Sequence, residues 1–266
     1  MRGEGKVAVV SGGSSGIGYH TALALKRAGC VVYTLSRHPA AMEGVTQLTA
    51  DVTQEAQLRS AVARILAERG RIDLLVCCAG FGISGAAEFT RPEDAHAQLE
   101  TNLFGTDNLI RAVLPQMRTQ KSGRIVCVSS VAGALPIPFQ LWYSAGKAAV
   151  NAYTLALANE VRPFGITVCA VLPGDVATGF TGSRKKSTAG DDVYGGRIAR
   201  SVAGMEKDER NGIPAERAGG FVARCALKKR SRPLMTFGAQ YRLFLLLAKL
   251  LPRGLSNRIV GLLYAR

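Results

Sequence analysis

Short apolar segments rich in β-branched residues recur along the first two thirds of the chain, and segments with helical spacing separate them. Repeated strand–helix–strand units with nearly continuous apolar strands are typical of a parallel sheet that is covered on both faces. Right-handed crossovers make such a sheet doubly wound. We therefore predict an α/β fold. The predicted strands are Lys6–Ser11, Cys30–Leu35, Val45–Ala50, Leu74–Ala79, Arg124–Ser129 and Ile166–Leu172.

The helical pattern covers Thr53–Arg69, Ala95–Arg118 and Tyr143–Val161, besides a first helix that ends at Gly29. The chain has 266 residues, 47% of them hydrophobic, which is enough for one large domain. After Thr236 the character changes, because leucines alternate with Arg and Lys. We predict a catalytic domain over residues 1–236 and an amphipathic extension over 237–266.

Three interpretations of this extension remain open: a cover for a substrate pocket, a membrane-surface anchor and a subunit contact. Lys249 interrupts its apolar run and Pro252 breaks it, which argues against a helix that spans a membrane. The segment Gly179–Gly196 is rich in Gly, Ser, Thr and Lys, and we expect it to be a mobile lid.

The net charge of +15 favours an anionic partner such as nucleic acid, an anionic lipid or a phosphorylated cofactor. We do not expect nucleic acid, because only 6% of residues are aromatic and no recognition motif is present. None of the six cysteines has metal-ligand spacing, so we predict no metal and reduced thiols. No secretory signal begins the sequence, and we expect a cytoplasmic protein with membrane association left open.

A glycine-rich loop lies between the first predicted strand and the first helix. Glycine lets a backbone approach a pyrophosphate closely, and a helix N-terminus supplies free N–H groups with partial positive charge. The position after an apolar strand makes a dinucleotide site much more specific than a lone glycine loop would be. The loop residues assigned to cofactor binding are Gly12, Ser14, Ser15, Gly16, Ile17 and Gly18.

The end of the second strand bears on the choice of cofactor. An acidic residue there usually binds the ribose hydroxyls of NAD, whereas a cation suits the 2′-phosphate of NADP. This chain has Arg37 and no carboxylate, so we predict NADP(H), with NAD(H) less favoured. Asp51, after the third strand, could bind the adenine or cap the next helix, and these alternatives stay open.

Tyr143 and Lys147 are four residues apart on a predicted helix, which places both on one face. An ammonium beside a phenol stabilises the phenolate, so we expect Lys147 to lower the pKa of Tyr143 and make it a general acid/base. Ser130 follows the fifth predicted strand, where its hydroxyl can donate to a substrate oxygen or cap a turn. Asn102 lies within a predicted helix, where it could hold a proton-relay water.

Together these motifs resemble the classical short-chain dehydrogenase/reductase family over about residues 5–178. The resemblance implies a Rossmann fold, with Tyr143 as general acid/base and Ser130 orienting the substrate oxygen. It also implies that Lys147 binds the nicotinamide ribose and that Asn102 supports the relay. The other cofactor contacts that it implies are Val52, Ala79, Gly80, Pro173, Gly174, Val176 and Thr178.

Two departures from the family pattern are visible: Ser11 stands where threonine is usual, and Cys77-Cys78 replaces two asparagines. Members with similar tails often act on lipophilic carbonyl or alcohol compounds, so the resemblance favours a steroid, retinoid or keto-lipid substrate. The alternatives are a reductase of carrier-bound 3-oxoacyl chains, docked through Arg184-Lys185-Lys186, and a non-catalytic NADP sensor. We expect a homodimer or homotetramer.

Overall fold

The central sheet of the computed structural model, which describes residues 3–229 and 232–265, has seven strands that all pair in parallel. In chain order all the described strands are β1 Val7–Ser11, β2 Val31–Ser36, β3 Thr46–Thr49, β4 Leu74–Cys77, β5 Ile83–Ser84, β6 Gly123–Val128, β7 Ile166–Pro173, β8 Val176–Ala177, β9 Lys185–Lys186, β10 Ile213–Pro214 and β11 Leu234–Phe237. Two pairs of these strands, β5 with β9 and β8 with β10, lie outside the central sheet. The order across the sheet is β11-β7-β6-β4-β1-β2-β3. The doubly wound parallel sheet is therefore confirmed, and each of the six predicted strands is present.

Helices cover both faces of this sheet, because its central strands are apolar on both sides. In chain order they are α1 Gly16–Arg27, α2 Glu55–Arg69, α3 Pro92–Leu99, α4 Gly105–Thr119, α5 Leu141–Glu160, α6 Phe180–Ser183, α7 Arg197–Arg210, α8 Ala215–Leu227, α9 Ala239–Leu250 and α10 Arg253–Tyr264. α2, α4 and α5 pack on one face, and α1 and α8 pack on the other. All the loops that follow the strands of the sheet consequently open at one edge.

The predicted single helix Ala95–Arg118 is instead two helices joined by a π-helical turn, Glu100–Phe104. This turn contains Asn102, which is 1% exposed. π-Helical turns are often found at functional sites, and here the turn brings a polar side chain into the interior.

The predicted boundary between residues 236 and 237 is wrong, because it divides β11. Phe237 still pairs with Pro173 of β7, so the extension begins at Gly238. β11 is a short edge strand of four half-buried residues. α9 and α10 form the extension. No described helix is both long and apolar enough to span a bilayer.

The expectation of a mobile lid over Gly179–Gly196 is replaced by an ordered segment that is tied to the body of the domain. Its β9 pairs with β5, and Arg184, almost fully buried, forms a salt bridge with Glu209. The two following cations are also paired, Lys185 with Asp94 and Lys186 with Glu206. These three positive charges are therefore already neutralised within the chain, which weakens the case for a carrier-docking patch.

Candidate active site

The glycine loop between β1 and α1 lies against the end of β4, so closely that side chains are excluded. Gly12 has a φ of +66°, and a Cβ there would lie 2.8 Å from the backbone nitrogen of Ala79. A Cβ on Gly18 would lie 2.2 Å from the carbonyl oxygen of Gly12. Glycine is required at both positions, by conformation at the first and by close approach at both. The result is a shallow backbone cradle at the edge where ligands bind in doubly wound sheets.

The N-terminus of α1 opens into this cradle. Ser15 precedes the helix and its side chain makes no capping hydrogen bond, so the first N–H groups are left for a ligand. Ser14, Ser15, Gly16, Ile17 and Gly18 all line one cavity of about 1090 Å³. Free N–H groups and the helix dipole favour an anion here, and a pyrophosphate fits the exposed backbone.

Ser11, the departure from the usual threonine, connects the loop to the neighbouring strand. Its Oγ accepts hydrogen bonds from the backbone nitrogens of Cys78 and Ala79, at 3.1 and 3.2 Å. The hydroxyl that serine shares with threonine is therefore enough to form this link, and the methyl group of threonine is not needed. Desolvation raises the pKa of the Cys78 thiol to about 12, so Cys78 stands in the cavity wall as a neutral thiol. Ala79 and Gly80 follow in the same wall.

Arg37 stands directly after β2, exposed and at the rim of the cavity. Within residues 3–229 and 232–265 its guanidinium forms no salt bridge with a carboxylate, although four surface arginines on α2, α3 and α4 and their flanks do. Its donors are therefore available to a phosphate group.

Asp51 stabilises the turn before α2 and does not cap the helix, because α2 begins at Glu55 and Gln54 stands at its N-cap. Its Oδ1 accepts hydrogen bonds from both the backbone nitrogen and the hydroxyl of Thr53, each at 2.9 Å. Asp51 and the buried Val52 also line the cavity, so the second carboxylate oxygen can still meet an adenine amino group.

The segment after β7 closes the opposite side of the cavity with Pro173, Gly174, Val176 and Thr178. Thr178 lies against the glycine loop, since a Cβ on Gly16 would be 3.4 Å from its Cβ. Its Oγ1 accepts a hydrogen bond from the backbone nitrogen of Phe180 and fixes the start of α6. The hydroxyl hydrogen of Thr178 remains free to donate.

Tyr143, in the first turn of α5, faces the same cavity together with Ser130. Desolvation raises the pKa of Tyr143 to about 12, and a hydrogen bond with Ser130 opposes this rise. The expectation that the pKa of Tyr143 is lowered is therefore wrong for the chain alone, because burial raises it above its ordinary value. The phenol is protonated at neutral pH, the form that can donate a proton to a carbonyl oxygen.

Lys147 lies one turn further along α5, with its Nζ 5.8 Å from the centroid of the Tyr143 ring. It is 7% exposed, and its Nζ donates a 2.9 Å hydrogen bond to the carbonyl oxygen of Val128. Burial lowers the pKa of Lys147 to about 8. A second contact holds this part of α5, because Ser129 Oγ donates to the backbone oxygen of Lys147 at 3.0 Å. The ammonium is thus fixed beside the phenol by the end of β6.

Asn102 is the one predicted site residue that does not line the cavity. Its side chain forms two hydrogen bonds with the backbone of Phe81, Oδ1 accepting at 3.0 Å and Nδ2 donating at 2.9 Å. It lies close to Gly80 and Lys147, because a Cβ on Gly80 would be 2.8 Å from Asn102 Oδ1 and 3.8 Å from Lys147 Nζ. The amide therefore holds the loop after β4.

Most of the remaining wall consists of apolar residues that the sequence did not assign to the site. The ring of Phe180 lies 5.6 Å from that of Tyr143, centroid to centroid. α9 and α10 supply the largest part of the wall. Their cavity-lining residues are Tyr241, Phe244, Leu247, Ala248, Leu251, Ser256, Ile259, Val260, Leu263 and Tyr264. The i, i+3, i+7 spacing of Phe244, Leu247 and Leu251 could have indicated one inward face.

Asp175 adds a negative charge to this otherwise apolar region. Its carboxylate accepts a 2.6 Å hydrogen bond from the hydroxyl of Tyr241 on α9 and lines the cavity. Burial raises its pKa, and the Tyr241 hydrogen bond partly opposes the rise. No salt bridge to Asp175 is present among the described residues.

Comparison with known proteins agrees with this geometry. The family described as short chain dehydrogenase matches residues 6–189. A 3-ketodihydrosphingosine reductase of Bacteroides thetaiotaomicron is 42% identical over 227 residues, which is 84% of each chain. A 3-oxoacyl-[acyl-carrier-protein] reductase of Escherichia coli is 32% identical over 212 residues, 77% of this chain and 85% of the relative. A solved short-chain dehydrogenase of Streptomyces avermitilis superposes with a TM-score of 0.80 at 30% identity, over 91% of both chains.

Proposed function

The chain belongs to the short-chain dehydrogenase family of oxidoreductases, and on this premise we propose that it reduces the ketone of a long-chain sphingoid base, using NADPH. The observation that carries the proposal is the Ser130–Tyr143–Lys147 group at the floor of a cavity whose wall is built by apolar helices. A 3-keto sphingoid base joins a polar, amine-bearing ketone to a hydrocarbon chain. The cavity offers polar side chains at its floor for the ketone and an apolar wall for the hydrocarbon chain.

The residues at the floor act on the ketone oxygen. Tyr143 donates its phenolic proton to that oxygen, since its raised pKa keeps it protonated. Ser130 Oγ accepts a 3.1 Å hydrogen bond from the backbone nitrogen of Ala132, and its hydroxyl, hydrogen-bonded to Tyr143 in the chain alone, can turn its hydrogen to the substrate oxygen. Lys147 would hold the ribose of a bound nicotinamide cofactor, and its ammonium would stabilise the phenolate left after Tyr143 gives up its proton. A bound nicotinamide supplies the hydride for the carbonyl carbon.

The preference for NADPH depends on Arg37. This exposed cation has no carboxylate partner among the described residues and stands where a 2′-phosphate would lie. A guanidinium binds a phosphate with two parallel hydrogen bonds, whereas the ribose hydroxyls of NADH offer no charge.

Two features of the wall support the substrate class. Helices α9 and α10, residues 238–265 with their connections, give a leucine-rich surface for a hydrocarbon chain. Asp175 gives a carboxylate that an ammonium group next to the ketone could approach. Asp175 suits an amino-ketone lipid better than a steroid or retinoid, because these carry no amine, whereas the apolar wall suits all three.

The test is a substrate panel with the purified chain. We expect NADPH oxidation with 3-ketodihydrosphingosine to exceed that with a steroid ketone or a 3-oxoacyl carrier thioester. Asp175→Asn should lower kcat/KM for the amine-bearing ketone roughly tenfold or more, since a charged hydrogen bond contributes about 1.5–3 kcal/mol. The same variant should leave kcat/KM unchanged for a long-chain ketone without the amine. Equal losses on both ketones would contradict the ammonium contact.

A reductase of carrier-bound 3-oxoacyl chains is the second candidate, favoured by the Escherichia coli relative. The pairing of Arg184, Lys185 and Lys186 with carboxylates of the chain itself counts against it. The same panel decides, because a carrier-bound substrate turned over faster than the sphingoid ketone would favour this alternative.

A further inference from the structure

The exposed apolar side chains of the protein are concentrated on one surface. Among the described residues, nine of the fourteen large hydrophobic side chains that are exposed belong to α9 and α10. Exposed apolar residues are ordinary when they are scattered, but a contiguous group marks an interaction surface. The two helices therefore have a binding role besides forming the cavity wall.

Only part of this surface belongs to the wall, since four of the nine residues line the cavity and five do not. Leu243, Leu246 and Leu250 are spaced i, i+3 and i+7 on α9, and they are 53%, 55% and 74% exposed. None of the three lines the cavity, whereas Leu247 and Leu251 of the same segment do. α9 thus has an inner apolar face toward the cavity and an outer apolar face toward solvent. We call Leu243, Leu246 and Leu250 the outer face.

The charge around the outer face has a single sign. Residues 238–265 contain no Asp or Glu, and their cations are Arg242, Lys249, Arg253 and Arg258. All four are exposed, and none forms a salt bridge with a carboxylate in the described parts of the chain. Leucines flanked by unpaired cations are the pattern of helices that lie in the interface of an anionic membrane.

We propose that the outer face docks on an anionic lipid bilayer and that the cavity takes its lipid substrate from that bilayer. A second copy of the chain is a poorer occupant, since two surfaces carrying only positive charge repel each other. The anionic bilayer satisfies both the leucines and the cations. The source of the substrate, but not the docking itself, rests on the function proposed above.

The attachment of the two helices suits this role. Tyr241 fixes the beginning of α9 through its hydrogen bond to Asp175, and the carbonyl oxygen of Ala265 accepts a 2.8 Å hydrogen bond from Arg197 Nε after α10. Between these two anchors the described residues of α9 and α10 are exposed or half-buried. A hydrocarbon chain entering between the helices would pass from the docked side directly to the inner wall.

The test is sedimentation of the full-length protein with vesicles of phosphatidylcholine, with and without phosphatidylglycerol. We expect binding to the anionic vesicles and strong weakening at about 1 M salt, where the Debye length is about 3 Å. The double variant Leu246→Asp/Leu250→Asp should bind the anionic vesicles at least tenfold more weakly than the wild type. The double variant Arg253→Glu/Arg258→Glu should show the same loss of binding when it is measured at low salt. Phe164→Asp is the matched control, because Phe164 is exposed but precedes β7 at the opposite edge of the sheet.

Each outcome of the sedimentation experiment either supports or overturns docking on a bilayer. Wild-type protein that stays in the supernatant with both vesicle types overturns the proposal, as does outer-face variant protein that sediments like the wild type. A change of oligomeric state in Leu246→Asp/Leu250→Asp, seen by analytical ultracentrifugation without loss of vesicle binding, identifies a second copy as the occupant and also overturns it. Turnover of a short, water-soluble ketone should be unchanged in these variants. Loss of ketone reduction in the wild type would contradict the proposed function but not the docking.

Discussion

The floor and the wall of the cavity are built in opposite ways. At the floor, Lys147 is buried and its side chain and backbone are both hydrogen-bonded to the end of β6, by Val128 and Ser129. In the wall, Tyr241 is the one described residue of α9 that is buried, and α10 has none. The geometry proposed for proton transfer is thus fixed by the core, whereas the surface proposed to select the substrate is attached at few points.

The sharpest way to break this comparison is to remove the phenol at the floor. Tyr143→Phe should lower kcat for ketone reduction by about 10²–10⁴-fold, the usual contribution of a general acid. NADPH affinity, measured by fluorescence titration, should be unchanged, because the glycine loop is untouched. Tyr153→Phe is the control on the same helix, since the Tyr153 hydroxyl bonds to Asp107 instead. A Tyr143→Phe protein that keeps its activity would favour another proton donor, and a wild type inactive on every ketone would favour the sensor alternative.

The next largest effect concerns the far end of the cavity. Arg37→Asp should shift the ratio of kcat/KM for NADPH to that for NADH by roughly 100-fold toward NADH, because a charge-assisted pair of about 1.5–3 kcal/mol is replaced by repulsion. Arg59→Asp, at an exposed position of α2, controls for the change in net charge. If the ratio does not move, Arg37 is a surface arginine and the assignment of NADP is wrong.

How much the sequence could predict follows the same division. The strands near the floor are continuously apolar and their ends carry the motif residues, so the sequence was enough to predict the fold class. The parallel sheet of the structure confirms that prediction. The wall could not be placed in the same way, because Leu243 and Leu247 look alike in the sequence while only Leu247 faces the cavity. That distinction depends on how α9 sits against the body, which is set by Tyr241 and β11.

Asn102 and Lys147 show a second limit of prediction. The sequence places Asn102 in a helix but does not reveal the π-helical turn that directs its amide to Phe81. It places Lys147 beside Tyr143 but does not reveal that burial raises the pKa of Tyr143 and lowers that of Lys147. Both depend on desolvation and backbone geometry, which arise only from tertiary packing.

A smaller effect is expected when the wall is changed. Leu247→Ser/Leu251→Ser should raise KM for a long-chain ketone roughly tenfold or more, since burying a leucine contributes about 1.5–3 kcal/mol. The kcat/KM for a short ketone should stay near the wild-type value. Leu243→Ser is the matched control, because it removes a leucine of the same helix that does not line the cavity. Equal loss on both ketones would mean that the wall supports the floor, and the comparison would fail.

The smallest effect tests the cost of burying Lys147. Its pKa falls from 10.5 to about 8 in the folded chain, so between these values the unfolded chain binds more protons than the folded one. The free energy of unfolding should therefore rise with pH across that window, by at most about 1.4 kcal/mol per pH unit. Well below pH 8 the lysine is protonated in both states, so Lys147 adds no dependence on pH there. Lys147→Met should lack this rise, which urea unfolding at several pH values can measure. Lys249→Met, at an exposed position of α9 outside the cavity, controls for the loss of one positive charge. Parallel curves for wild type and Lys147→Met would show that the ammonium is solvated, and the floor would then be no more rigid than the wall.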